Sequence, residues 1–155
     1  MIFEGQKKTP KIIKLDIPEI TNAASLLSPS GKLAISDNNL VYLDIEDAYI
    51  HQLFPLLQNQ QIKKPDYFGE KSAGAHITVI YPEENKIIYS DDLNQKHSFI
   101  VKDIVTAEIG MKVYYVLLVN SPSLLKLRRQ CGLSDMLCFK SYSIGFHITI
   151  EVKFS

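Results

Sequence analysis

The tetrapeptide HITV at 76–79 returns as HITI at 147–150, so a 155-residue chain with four histidines places two of them in one repeated motif. A period of 71 residues is too long for a solenoid and fits two related lobes. The flanking sequence repeats a plan as well. In the first half, KLAIS and LVYLDIE around the turn DNN read as a hairpin of β-branched and aliphatic residues. In EDAYIHQLFPLLQNQQI, Tyr49, Ile50, Leu53, Leu56 and Leu57 recur at helical spacing, and Pro55 is expected to kink that helix or start a second short one. The loop KKPDYFGEKSAGA then leads into the strand HITVIY, which PEEN stops. In the second half, HSFIVKDIVTAEI and MKVYYVLLVN read as strands joined at Gly110. A helix follows in SPSLLKLRRQCG, with Ser121 as cap, Pro122 in the first turn and Gly132 at the end. A loop, SDMLCFKSYS, returns the chain to a last strand, IGFHITIEVKF. A duplicated α+β unit is the simplest architecture for this pattern.

Side chains alternate along a strand, so His76 and Thr78 share one face and Ile77 and Val79 the other, and His147/Thr149 and Ile148/Ile150 repeat the division. If the apolar pairs lie under helices, the polar pairs face a shared groove. A lone His-x-Thr in a strand is more often a packed or surface feature than a catalyst, but two copies in matching halves favour chemistry. Cleaving a phosphodiester by in-line displacement needs a base on one side of phosphorus and an acid on the other. Two imidazoles, which titrate near neutral pH, meet that need. Threonine hydroxyls can donate to the non-bridging oxygens, where charge accumulates in the transition state. This chemistry requires no metal and no cofactor, and no dense carboxylate cluster suggests a two-metal site.

Charge narrows the ligand. Seventeen basic and seventeen acidic side chains cancel, whereas a protein gripping long nucleic acid carries excess positive charge. No binding to long duplexes is expected, and a small or end-bound ligand is favoured. MIFEGQKKTPKIIK lacks the apolar core of a signal peptide, and the longest apolar run, VYYVLLV, is too short to span a bilayer. A cytoplasmic, membrane-free, monomeric protein is expected, with Cys131 and Cys138 as reduced thiols.

The paired H-I-T-V and H-I-T-I motifs, with SPSLLKLRRQCGL before the second, resemble the 2H phosphoesterase superfamily, which includes the 2′-5′ RNA ligase-like and cyclic phosphodiesterase families. The likeness covers about residues 32–153. It implies a bilobal α+β fold whose antiparallel sheets line a central cleft with helices packed outside, in one domain over 32–155. Residues 1–31 form an N-terminal extension of open structure, in which KIIKLDI is a candidate edge strand. Carried over by position, His76 and His147 are the catalytic acid and base, and Thr78 and Thr149 bind the substrate phosphate. The implied activity is metal-independent cleavage of a 2′,3′-cyclic phosphate on a nucleotide or RNA end, or of a 2′-5′ linkage, with a place in RNA processing. The acidic residues after each motif, in HITVIYPEE and HITIEVK, depart from a basic substrate-contacting pattern.

Tyr67, Phe68 and Tyr142, in the loops before the motifs, are candidates for stacking on a base, with packing as the alternative. Lys126, Arg128 and Arg129 suit the end of a helix facing water, with contact to further substrate phosphates as the alternative. His51 and His97 lack a threonine partner and read as structural or exposed. The rival function is a non-catalytic module that binds a nucleotide or RNA end in the same cleft. A third reading buries both histidines as partners of backbone groups.

Overall fold

A computed structural model describes residues 8–57, 74–84, 86 and 88–154. Ten strands and three helices are seen among them: β1 (Lys11–Lys14), α1 (Pro18–Ser25), β2 (Ser30–Ile35), β3 (Val41–Asp44), α2 (Ala48–His51), β4 (His76–Ile80), β5 (Lys96–Ser98), β6 (Ile100–Ile109), β7 (Lys112–Asn120), α3 (Pro122–Gln130), β8 (Leu137–Phe139), β9 (Tyr142–Ile144) and β10 (His147–Phe154). Eight strands form one antiparallel sheet in the order β1-β6-β7-β10-β4-β3-β2-β5. The duplication is visible in that order. Hairpin β2–β3 and strand β4 on one side answer hairpin β6–β7 and strand β10 on the other. The two motif strands meet at the centre, and the fold is α+β.

Turn chemistry explains the hairpins. Ile109 pairs with Lys112 across Gly110 and Met111, and Gly110 has φ +60°, which places a glycine at the first central position of a type II′ turn. The β2–β3 turn uses Asn39 at φ +67°. α3 is capped as its sequence predicts: Ser121 Oγ accepts from Leu124 N, Pro122 opens the first turn, and Gly132 at φ +75° follows its end. The helical pattern around Pro55 divides into α2 and a 3-10 turn at Phe54–Leu57, consistent with the ring's removal of an amide donor.

Helices α1, α2 and α3 pack against β6, β10 and β4 respectively. Ile77, Val79, Ile148 and Ile150 are fully buried in one core with Ile20, Tyr49 and Leu124 from the three helices. The segment before residue 32, whose structure the sequence leaves open, thus supplies edge strand β1 along β6 and a helix whose Ile20 and Ala24 enter the core.

Two expectations are corrected. SDMLCFKSYS is not a plain loop: it holds the hairpin β8–β9. Its three-residue strands are too short for a periodic signal, and its turn residues, Lys140 (φ +49°) and Ser141 (φ +69°), are not the usual glycine or asparagine. Replacing them with Asn-Gly is expected to relieve left-handed strain of roughly 1–2 kcal/mol. Thermal unfolding checks this by a higher Tm. The second correction is Arg128, which lies fully buried rather than facing water. All five of its N–H donors are used. Nε donates to Ser134 O (2.7 Å), Nη1 to Val79 O (2.8 Å) and Glu84 Oε1 (2.9 Å), and Nη2 to Glu84 Oε2 (2.7 Å) and Met136 O (2.8 Å).

Candidate active site

His76 and Thr78 on β4, and His147 and Thr149 on β10, lie on the sheet face opposite the helix-packed isoleucines. The register fixes how they meet. Ile148 pairs with Ile77, and counting one residue outward along antiparallel strands sets His147 beside Thr78 and Thr149 beside His76. Each threonine therefore neighbours the other motif's histidine. The imidazoles take opposite corners of a quadrilateral, diagonal neighbours roughly 7–8 Å apart across adjacent strands, with their Cβ atoms somewhat closer.

Both rings are held in the same way. His76 Nδ1 donates to the carbonyl of Gly74 at 2.7 Å, and His147 Nδ1 donates to that of Gly145 at 2.8 Å. A carbonyl only accepts, so each Nδ1 carries the proton and Nε2 becomes the atom that takes or gives one. The repeat is thus longer than four residues: Gly-x-His-Ile-Thr occurs at 74–78 and again at 145–149. Gly74 has φ +72°, and a Cβ there would stand 2.7 Å from Asp47 Oδ1, so glycine is required. Asp47 Oδ1 also accepts from Ala75 N at 3.0 Å, fixing the entry to β4.

A family model described as "Swiss Army Knife, 2H phosphoesterase domain" matches residues 41–153. The chain belongs to the 2H phosphoesterase superfamily. No curated protein and no solved structure matches it.

In this 2H domain the four motif side chains open on a cleft of about 640 Å³. Leu118, Val116 and Tyr114 on β7, Phe139 on β8 and Met136 just before it line the cleft, and Lys112 brings a positive charge. Thr9, Pro10 and Ile12 from the N-terminal segment also line it. Thr78 and Thr149 are 5% and 7% exposed, so their hydroxyls lie where water is scarce. Burial lowers the pKa of both histidines. The Gly74 bond and Asp44 push His76 back up, whereas the Gly145 bond raises His147 and the neighbouring His76 lowers it further.

Of the candidate stacking residues, Tyr67 and Phe68 lie outside the described residues. Tyr142 sits on β9 away from the cleft lining, with the Lys8 ammonium 5.6 Å from its ring centroid. Among the described residues, the aromatics that line the cleft are Tyr81, Tyr114 and Phe139, the last 4.8 Å from Tyr81 and 6.2 Å from Tyr114 between centroids. Lys126 and Arg129 are exposed, Arg129 pairing with Asp135. His51 is exposed on α2, and His97 Nδ1 lies 2.8 Å from Ser123 Oγ.

The acidic residues after each motif have structural explanations. Glu84 binds Arg128, and Glu83 Oε1 accepts from Lys140 N at 2.8 Å, so the 3-10 turn Pro82–Glu84 anchors hairpin β8–β9 beside the cleft. After Thr149 a bulge intervenes: Thr149 pairs with Val116 but Glu151 with Tyr115, leaving Ile150 as the extra residue. Val152 and its partner Tyr114 line the cleft, so Glu151 is turned to the opposite face, away from where a phosphate would meet it.

Glu151 is 1% exposed, and its Oε2 has no hydrogen-bond partner among the described residues. Burial pushes its pKa from 4.5 up to about 8. Between those values the folded state holds a proton that the unfolded state has lost, so this group's contribution to stability falls as pH rises from about 4.5 through 8. Glu151→Gln cannot ionise. Its Tm relative to wild type is expected to improve from pH 6 to pH 9, and a difference independent of pH would contradict the buried carboxyl.

Proposed function

We propose that this 2H protein is a metal-independent phosphodiesterase acting at a ribose 2′-oxygen. Its preferred substrate class is a 2′,3′-cyclic phosphate on a nucleotide or RNA end, followed by a 2′-5′ linkage. The observation that carries the reading is the crossed quadrilateral of His76, Thr78, His147 and Thr149, with both Nδ1 atoms tied to backbone carbonyls. A phosphate centred over it has an imidazole Nε2 at each end of the attacking-to-leaving axis. A threonine hydroxyl lies on each remaining side, suited to donate to the non-bridging oxygens.

One imidazole removes a proton from water as the water oxygen bonds to phosphorus. The other protonates the ribose oxygen as its bond to phosphorus breaks. The aliphatic and aromatic walls suit the flat face of a base, and Lys112 suits a phosphate charge at the cleft's edge.

The test is a product assay in EDTA on the four nucleoside 2′,3′-cyclic monophosphates and a 2′-5′ dinucleotide, resolved by chromatography. Conversion to a nucleoside monophosphate in chelator is expected, and the product identifies the leaving oxygen. Loss of conversion on chelation would overturn the metal-free mechanism. Tight binding of these compounds without turnover would replace the enzyme by a binding module.

A further inference from the structure

The two halves of the site match in their motifs but differ in their next strand. On the β4 side, β3 pairs Asp44 with His76 and Tyr42 with Thr78. On the β10 side, β7 pairs Leu118 with His147 and Val116 with Thr149. Paired residues on adjacent antiparallel strands share a face, so His76 has a carboxylate neighbour where His147 has an aliphatic one. The Tyr42 ring meets the edge of His76 with centroids 5.7 Å apart. Neither Tyr42 nor Asp44 lines the cleft. Asp44 is exposed and sits opposite His76 in the register.

We propose that Asp44 is a positioning residue that holds the pair's proton on His76 rather than His147, so that His76 serves as general acid and His147 as general base. This rests on the two-histidine reading given above and adds a direction to it. The charges around His76 agree. Asp44 faces it from β3, Asp47 is bonded to the backbone just before it, and from β10 His147 is the titratable group coupled to it. Among the described residues lining the cleft, Lys112 is the lysine, and it belongs to the β7 side. Coupling is reciprocal: burial and Asp47 raise the Asp44 pKa, and His76 lowers it.

His147 Nε2 then takes the proton of water while a P–O bond forms. His76 Nε2 delivers its proton to the departing ribose oxygen while the old P–O bond breaks. The reaction adds one water overall. The site resets by losing a proton from His147 and gaining one at His76 from solvent.

The experiment follows both histidines by NMR titration in wild type, Asp44→Asn and Asp44→Glu, with the pH dependence of kcat/KM measured alongside. In Asp44→Asn, His76 is expected to titrate at lower pH and the alkaline limb of the rate profile to move with it. The rate above that limb should drop roughly two- to fivefold, the size of an exposed charge pair. Asp44→Glu should restore the limb, and added salt should shrink the wild-type effect. An unchanged His76 titration in Asp44→Asn, or a wild type in which His147 titrates above His76, would overturn the proposal. The titration needs no turnover: a His76 shift in a wild type that converts no substrate would uphold Asp44's hold on the proton and remove only the phosphodiesterase reading.

Discussion

Alanine at either His76 or His147 is expected to lower kcat/KM by about 10²–10⁴-fold, the range for losing one positioned general acid or base. The two substitutions should act on one unit, so the double variant should be little worse than the poorer single. Both rings line the cleft rather than the helix-packed core, with Nδ1 donating to the carbonyl of Gly74 or Gly145. The folded state should therefore survive both changes with similar Tm. Steady-state kinetics on a converted cyclic phosphate, with thermal unfolding as control, provides the check. Full activity in either variant would mean that the ring does not transfer a proton.

Arg128→Met is expected to destabilise the fold by about 3–5 kcal/mol, because it leaves the Glu84 carboxylate buried without its partner. Glu84 is 3% exposed at its side chain and Arg128 0%, so water cannot replace the lost bonds. That is a large part of the 5–15 kcal/mol that holds a typical domain together. The guanidinium also joins three pieces of backbone: the end of β4 at Val79, Ser134, and Met136 before the β8–β9 hairpin. Urea denaturation measures the loss. The double variant Arg128→Met/Glu84→Met should recover part of it, since it removes both charges together. A single Arg128→Met variant as stable as wild type would contradict the buried pair. Because Met136, Tyr81 and Phe139 line the cleft, destabilised variants should also bind substrate more weakly.

The motif strands and the hairpins β2–β3 and β6–β7 were legible because strand alternation and turn residues act over a few positions. His76, Thr78, His147 and Thr149 share a face by parity alone, and Ser121, Pro122 and Gly132 delimit α3 by local chemistry. What parity could not show was register. The crossed pairing of each histidine with the other motif's threonine follows from one contact, Ile148 with Ile77, made between residues 71 positions apart. The glycine two residues before each histidine was a readable signal, and it marks the carbonyl that orients the ring.

Arg128 misled because a basic residue late in a helix normally faces water. Its partner is 44 positions away in PEEN, and only tertiary packing brings the two together. Asp44 had no local signal at all, since its importance comes from the strand beside it. The acidic Glu151 after the second motif departs from a basic pattern, and the bulge at Ile150, invisible to simple alternation, turns it from the cleft face.

The most direct test of the central claim is the pH dependence of kcat/KM for a converted cyclic phosphate, measured in EDTA. A bell-shaped profile is predicted, its acid limb set by the base that must be neutral and its alkaline limb by the acid that must be protonated. A profile that rises to a plateau with no alkaline limb, or that needs added metal for any turnover, would contradict catalysis by this histidine pair.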